Sequence, residues 1–168
     1  MIIFNHNIIF KNEPSLNDDV YQENIEIVFV KKTEDVLLGD TSYEEKPWIE
    51  MSSQMVRFHR LDNGDDFTMA FSWMMEVKNV LTLIWDVKER HITYKVDKNY
   101  TAQKLQFWVF HTFFPMILDL ERKYRILHVG GVEIEGKPVL FSAFSYGGKS
   151  TLTDYFKKKD ILSSQMIL

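Results

Sequence analysis

A short apolar strand, Val139-Leu140-Phe141, runs without a break into Ser142-Ala143-Phe144-Ser145-Tyr146-Gly147-Gly148-Lys149-Ser150-Thr151, and the residues that follow, 150–158, read as a helix. This strand, glycine-rich loop and helix constrain the chain more than any other feature. A loop in that setting wraps a polyphosphate: consecutive backbone N–H groups face the anion, the helix N-terminus adds partial positive charge, and small residues stand where backbone meets oxygen. Against the pattern G-x-x-x-x-G-K-[ST], Gly148-Lys149-Ser150 is intact and Ala143 replaces the first glycine. Lys149 then carries charge to the β- and γ-phosphates, and the Ser150 hydroxyl ligates Mg²⁺. The candidate phosphate-binding set is Ser145, Tyr146, Gly147, Gly148, Lys149, Ser150 and Thr151. The bland alternative is a Gly-Gly turn with Ser150 as helix cap; the strand before and the helix after favour the phosphate loop.

Upstream the grammar is different. From 1 to 96 apolar residues alternate or fall in short runs between polar turns, which predicts strands at 2–10, 25–30, 54–61, 67–74, 80–87 and 91–96. Asp62-Asn63-Gly64-Asp65 is a hairpin turn, because Asn and Gly accept the positive φ it needs. Val87-Lys88-Glu89-Arg90 reads as a second short connection, so an antiparallel meander is expected over 54–96, and the acidic stretch 34–48 with Pro47 as loop. Asp97 to Asn99 supplies a helix start for 101–125, where Leu105, Trp108, Val109, Phe113, Met116, Ile117 and Leu120 recur every three or four residues. That stripe reads as core packing, with Pro115 kinking the helix or splitting it. Strands at 126–134 and 138–141 around Glu135-Gly136-Lys137, and a last strand at 161–168, complete the chain. The expected class is mixed α/β: a β-rich antiparallel region over 1–100, then one long apolar helix and the start of a nucleotide-binding sheet over 101–168.

Composition narrows the partners. With 45% hydrophobic and 26% charged residues the chain has the makings of a core rather than of a disordered tract. A net charge of -4 provides no overall basic field for nucleic acid. Cysteine is absent, which excludes disulfides and thiolate chemistry and agrees with a reducing cytoplasm. His6, His59, His91, His111 and His128 include no pair at metal-ligand spacing. The N-terminus lacks a secretory pattern, and the most apolar run, 107–118, falls short of the ~18 residues a membrane-spanning helix needs. No membrane partner is expected.

The run Leu127-His128-Val129-Gly130-Gly131-Val132-Glu133-Ile134-Glu135-Gly136-Lys137-Pro138-Val139-Leu140-Phe141 closely resembles the segment that leads into the nucleotide loop of proteins similar to the C-terminal domain of HPr kinase/phosphorylase. In the loop, Ala143, Ser145, Gly148, Lys149, Ser150 and Thr151 match that family, while Phe144, Tyr146 and Gly147 depart from it. Tyr146 stands where glycine is usual. The resemblance covers about 45 residues by motif and the rest by element order. It implies an ATP- and Mg²⁺-dependent phosphoryl-transfer fold, distantly related to phosphoenolpyruvate carboxykinase, with a protein or small-molecule phosphoacceptor. Family members follow the loop helix with a strand carrying paired aspartates; here Ser164 and Gln165 occupy those places, and neither neutralises a divalent ion or acts as a base near neutral pH. Asp160 lies before the strand and needs a register shift to help. The chain also ends on this strand, so the expected site is incomplete, in a short protein, a fragment or a truncated gene product, with catalytic residues unassigned.

Three functions follow: an HPr-kinase-like ATP-binding protein with transfer weakened or lost, a non-enzymatic assembly module with a relic loop, or an active serine or small-molecule kinase. An interrupted sheet edge favours homo-oligomers under any of them. Of the other polar residues, His128 and His111 read as packed histidines before catalytic ones, Asp62, Asp65 and Asp66 as solvated turn carboxylates before a cation site, and Lys157-Lys158-Lys159 as complements to a helix C-terminus.

Overall fold

The computed structural model describes residues 2–18, 22–34, 46–61, 72–122, 124–125, 129–134, 136–143 and 147–158. They fall into two compact units, Met1–Ile117 and Leu118–Leu168. The sequence reading placed the long helix with the loop from residue 101; this division counts most of it with the sheet.

Eight strands build the first unit: β1 (Ile2–Ile3), β2 (His6–Phe10), β3 (Glu26–Lys32), β4 (Ile49–Met51), β5 (Gln54–Leu61), β6 (Ser72–Val77), β7 (Leu81–Asp86) and β8 (His91–Val96), in the spatial order β1-β2-β3-β8-β7-β6-β5-β4. The expected meander is present as four successive antiparallel neighbours, β5 to β8. Its links show why. Asp86 Oδ1 accepts the N–H groups of Lys88 and Glu89 at 2.9 and 3.0 Å, an Asx turn that closes the four-residue loop before β8. Ser52 and Ser53 both take positive φ, 50° and 59°, between the paired Met51 and Gln54, the geometry of a two-residue hairpin. Leu61 pairs with Ser72; the expected turn at 62–65 and residues 67–71 of the expected strand 67–74 lie outside the described residues.

Two expectations need correction. The single strand 2–10 is two, because Phe4 and Asn5 adopt φ of 47° and 59° and fold β1 back on β2. Asn tolerates that conformation; Phe4 offered no signal for it. The sheet is also mixed rather than antiparallel throughout: β3 runs parallel to both β2 and β8. Parallel neighbours need a crossover, and the one over 11–25 is tied down by amides. Asn17 accepts from the Phe10 N–H at 2.8 Å and donates to its carbonyl at 3.0 Å, and Asn7 Nδ2 donates to the Gln22 carbonyl at 2.8 Å.

The long helix consists of α1 (Ala102–Trp108), a π-helical turn (Val109–Phe113) and α2 (Phe114–Leu120). Thr101 caps it, its side chain accepting from the Lys104 N–H at 3.2 Å; Asp97 closes a turn with the Tyr100 N–H instead of starting the helix. Pro115 lies in the first turn of α2, directly after the widened turn. Proline has no N–H and its ring crowds the carbonyl four residues back. The Phe114 N–H bonds the carbonyl of Val109, five residues back, which makes room for that ring.

Leu105, Trp108, Val109, Phe113 and Ile117 of the expected stripe are buried, with Phe110 and Phe114 beside them; Met116 is half-buried and Leu120 exposed. Phe110 meets Phe10 edge to face at 5.6 Å between centroids, and Phe114 meets His6 at 5.1 Å and Trp85 at 6.4 Å. The partners Ile8, Phe10, Val28, Val30, Leu83, Trp85, Ile92 and Tyr94 are nearly inaccessible to solvent. Each large side chain so buried contributes about 1.5–3 kcal/mol. His111 corrects the sequence reading: it is exposed, next to Phe107 at 5.0 Å. Among the described residues His6 and His59 are the buried histidines, each facing a glutamate that an arginine also holds: Glu26 with Arg90, and Glu76 with Arg57. Among the described residues no helix is long and apolar enough to cross a membrane.

At the helix entry the Tyr100 hydroxyl donates to Glu13 at 2.5 Å and its ring stacks on Tyr94, 6.1 Å apart and 12° from parallel. Burial first, and then the bond to Glu13, push the Tyr100 phenol far above its ordinary value of 10.0; burial also raises Tyr94. Both groups therefore hold their protons more tightly folded than unfolded. Their contribution to stability is complete below about pH 10 and is lost as pH rises further. Urea unfolding is expected to show a fall in stability above about pH 10 that is smaller in Tyr100→Phe, a variant that costs about 1 kcal/mol at neutral pH. An equal alkaline loss in both proteins contradicts the assignment.

Candidate phosphate-binding loop

The second unit contains β9 (Val129–Ile134), β10 (Lys137–Ser142) and α3 (Lys149–Lys157). β9 and β10 are an antiparallel pair, in register from Lys137 opposite Ile134 to Ser142 opposite Val129. The positive φ of 75° at Gly136 turns the chain between them. Gly130 has a steric reason: the Phe141 ring of the facing strand covers it, and a Cβ at 130 would lie 2.3 Å from Phe141 Cε2. The ring thus fills the space that a side chain on β9 would take, and the pair fixes the register with which β10 delivers the chain to the loop.

From Ser142 the backbone passes Ala143 and re-enters the described residues at Gly147; Ser145 and Tyr146 of the candidate set lie outside them. Gly148 takes φ 82° and ψ 8° and is the N-cap of α3, which starts at Lys149, one residue before the expected position. A left-handed cap is natural for glycine and strained for other residues. The first helical bond runs from the Leu152 N–H to the Gly148 carbonyl at 2.9 Å. The N–H groups of Lys149, Ser150 and Thr151 precede it, and Gly148 has no side chain to accept from them. Ser150 sits inside the first turn rather than at the cap, so the reading of Ser150 as a capping residue is corrected. Its position turns an exposed hydroxyl toward solvent beside those amides, with Thr151 also exposed.

Lys149 is half-buried, and its ammonium reaches back to donate to the carbonyl of Ala143 at 2.6 Å. The side chain therefore closes the gap between the strand end and the helix start. Thr153, only 5% exposed, donates its hydroxyl to the Lys149 carbonyl at 3.0 Å and pins that first turn. The sequence reading missed Thr153. The available signal was its spacing of four from Lys149, which puts a hydroxyl one turn below the lysine backbone. The structure thus brings together Gly147, Gly148, Lys149, Ser150 and Thr151 of the set.

Lys149 brings an ammonium to the loop, and the N-terminus of α3 brings the positive end of the helix dipole. Among the described residues no three His, Asp or Glu side chains gather to hold a metal. A magnesium ion at this loop would have the Ser150 hydroxyl as protein ligand, with phosphate and water oxygens completing its shell. His128, Asp62, Asp65, Asp66, Asp160, Ser164 and Gln165 are outside the described residues. Of the expected lysine run, Lys158 ends α3 and is exposed, which suits the negative end of the helix.

Protein-family models, curated proteins and solved structures were compared with this chain, and none matches.

Two substitutions probe the geometry. Gly148→Ala forces a Cβ into the left-handed region and is expected to cost about 1–2 kcal/mol of α3 stability, read as faster amide exchange in that helix. Gly130→Ala drives a Cβ into the Phe141 ring and is expected to cost about 1–3 kcal/mol in urea unfolding. Wild-type exchange in α3 and an unchanged urea midpoint, respectively, contradict the two assignments.

Proposed function

We propose that the chain is an HPr-kinase-like nucleotide-binding protein that holds the polyphosphate of ATP, with Mg²⁺, on the loop between Ala143 and Thr151, and in which phosphoryl transfer is weakened or lost. One observation carries the reading: the Lys149 ammonium is folded back onto the Ala143 carbonyl, across the start of a helix whose N-cap, Gly148, has no side chain. An incoming phosphate oxygen offers that ammonium a charged acceptor, and hydrogen bonds between charged groups are about twice as strong as those between neutral ones. The same anion would accept from the backbone N–H groups at 149–151.

The residues fit the nucleotide better than they fit catalysis. Lys149, Ser150 and the helix N-terminus bind and orient phosphates. Removing a proton from an acceptor hydroxyl calls for a carboxylate or histidine within hydrogen-bond reach, and at the family's aspartate positions the sequence has Ser164 and Gln165. Binding without a base holds the substrate without lowering the barrier.

A second reading has its own support. Val139, Leu140, Leu152 and Tyr155, on β10 and α3, are each at least 40% exposed, and exposed apolar side chains suit an assembly module in which the loop is only a turn.

Calorimetric titration with Mg-ATP separates the readings. The parent protein is expected to bind, and Lys149→Ala, shown by circular dichroism to be folded, to bind at least about tenfold more weakly through loss of a charge-assisted contact of about 1.5–3 kcal/mol. Absence of binding by the folded parent overturns the proposal in favour of assembly. ATP-dependent labelling of an acceptor would instead establish an active kinase.

A further inference from the structure

The eight-stranded sheet of the first unit ends differently at its two edges. At one, β1 is two residues long, and beyond it the backbone of Phe10 on β2 is taken by a side chain. The Phe10 N–H donates to Asn17 Oδ1 at 2.8 Å, and its carbonyl accepts from Asn17 Nδ2 at 3.0 Å. Short edge strands and covered backbone keep a sheet from pairing with another chain. At the other edge β4 is the last strand, beside β5, and the ladder shows which of its groups face outward. The Met55 carbonyl accepts the Lys78 N–H at 2.9 Å, so Met55 turns its backbone away from β4. Met55 stands opposite Glu50, and hydrogen-bonded and non-hydrogen-bonded pairs alternate along an antiparallel ladder. Glu50 therefore points its N–H and carbonyl away from β5, and Trp48, two residues earlier, repeats that direction. Pro47 has the opposite phase, so its missing N–H is not on the outer side.

The side chains at this edge are self-complementary. Ile49 lies opposite the buried Val56, on the face that the helix covers, yet it is 45% exposed. Glu50, exposed, and Trp48, half-buried, share the other face. The Arg57 guanidinium lies 4.5 Å from the centre of the Trp48 ring and the Lys78 ammonium 5.7 Å from it. Glu76 answers the guanidinium. Among the described residues neither Glu50 nor Lys78 makes an ion pair.

We propose that β4 pairs antiparallel with β4 of a second copy of this chain, about a two-fold axis at Ile49, so that the two sheets become one. That axis sets Glu50 of each copy opposite Trp48 of the other, and outward backbone groups meet outward backbone groups. Ile49 meets its own counterpart on the helix face, which covers an exposed apolar side chain. On the opposite face the Glu50 carboxylate comes beside the other copy's Trp48 and the Lys78 ammonium that lies over it. An axis at Glu50 would instead set like charges against each other, and one at Trp48 would put Ile49 opposite Pro47 and lose the apolar contact. The contact joins an edge to itself and the far edge is covered, so association stops at a dimer. This interface does not depend on the phosphate loop.

A contact one strand wide belongs with the weak complexes, so the test is sedimentation velocity of the full chain from about 5 to about 500 μM. A monomer–dimer equilibrium is expected in that range. Glu50→Lys, which sets a cation against Lys78, is expected to weaken it at least about tenfold, while Lys149→Ala leaves it unchanged. The register is read by cross-linking, since the chain has no cysteine of its own. Facing residues of a non-hydrogen-bonded pair lie about 4.5 Å apart at Cα, within disulfide reach. With oxidised glutathione, Ile49→Cys is expected to form a disulfide-linked dimer at least about tenfold faster than Ser53→Cys, an exposed control that this register keeps far from its counterpart. A chain monomeric throughout, a dimer indifferent to Glu50→Lys, or equal cross-linking of the two cysteine variants overturns the proposal. Dimerisation through the exposed apolar side chains of β10 and α3 would give the last two results. Each variant is first compared with the parent by thermal unfolding, and if Glu50→Lys melts early, Glu50→Gln takes its place, with weaker dimerisation again expected.

Discussion

Phe114 is where the first unit is held together. Its ring meets His6 from β2 and Trp85 from β7, and these strands lie three places apart in the sheet, with β3 and β8 between them. The π-helical turn at Val109–Phe113 directly precedes Phe114, whose N–H bonds the Val109 carbonyl. Phe110 and Phe114, four residues apart, both meet the sheet, and Pro115 follows at the point where an ordinary α-turn would bring its ring against a carbonyl.

The second unit depends on a smaller contact of the same kind. Phe141 lies across Gly130, so the β9–β10 register is set by one ring filling one missing side chain. A slip of one residue would turn the ring to the other face. With the register fixed, Ser142 ends the strand at a defined place and Gly148 turns the chain into α3. Lys149 and Thr153 then tie the helix start to itself and to Ala143. Pre-positioning of this sort keeps the entropy cost of ordering a long lysine side chain out of any later binding step.

How legible this was in the sequence varied with how local the determinants are. The β5 and β8 limits were read correctly, because alternation and turn residues such as the Asp86 Asx turn act within a few positions. The buried stripe of the helix followed from its period for the same reason. The Phe4-Asn5 hairpin was missed because a phenylalanine in the left-handed region is paid for by the pairing of Ile2 and Ile3 with β2, which no local rule sees. The parallel placement of β3 was missed because it rests on Asn7 and Asn17 reaching across the crossover. The π-turn was beyond reach because Pro115 announces only that something must give. At the loop, Gly148, Lys149 and Ser150 were legible as a motif, while Thr153 and the Gly130–Phe141 pair needed coordinates to acquire a role.

On the proposed function, affinity and catalysis separate: each element at the loop, namely the ammonium, the amides and the helix dipole, would act on phosphate charge that is present before any reaction. Such elements lower the energy of the bound nucleotide and of the transition state together, so by themselves they raise affinity without raising the rate of transfer. A catalytic gain needs a group whose interaction grows as the bond to the acceptor forms, and a carboxylate that takes up a proton is the usual one. On the proposed reading, exchanging such a carboxylate for serine or glutamine removes the differential part and leaves the uniform part intact. A chain with Lys149 and Ser150 in place can therefore remain a nucleotide binder when transfer is gone, since the two properties depend on different side chains.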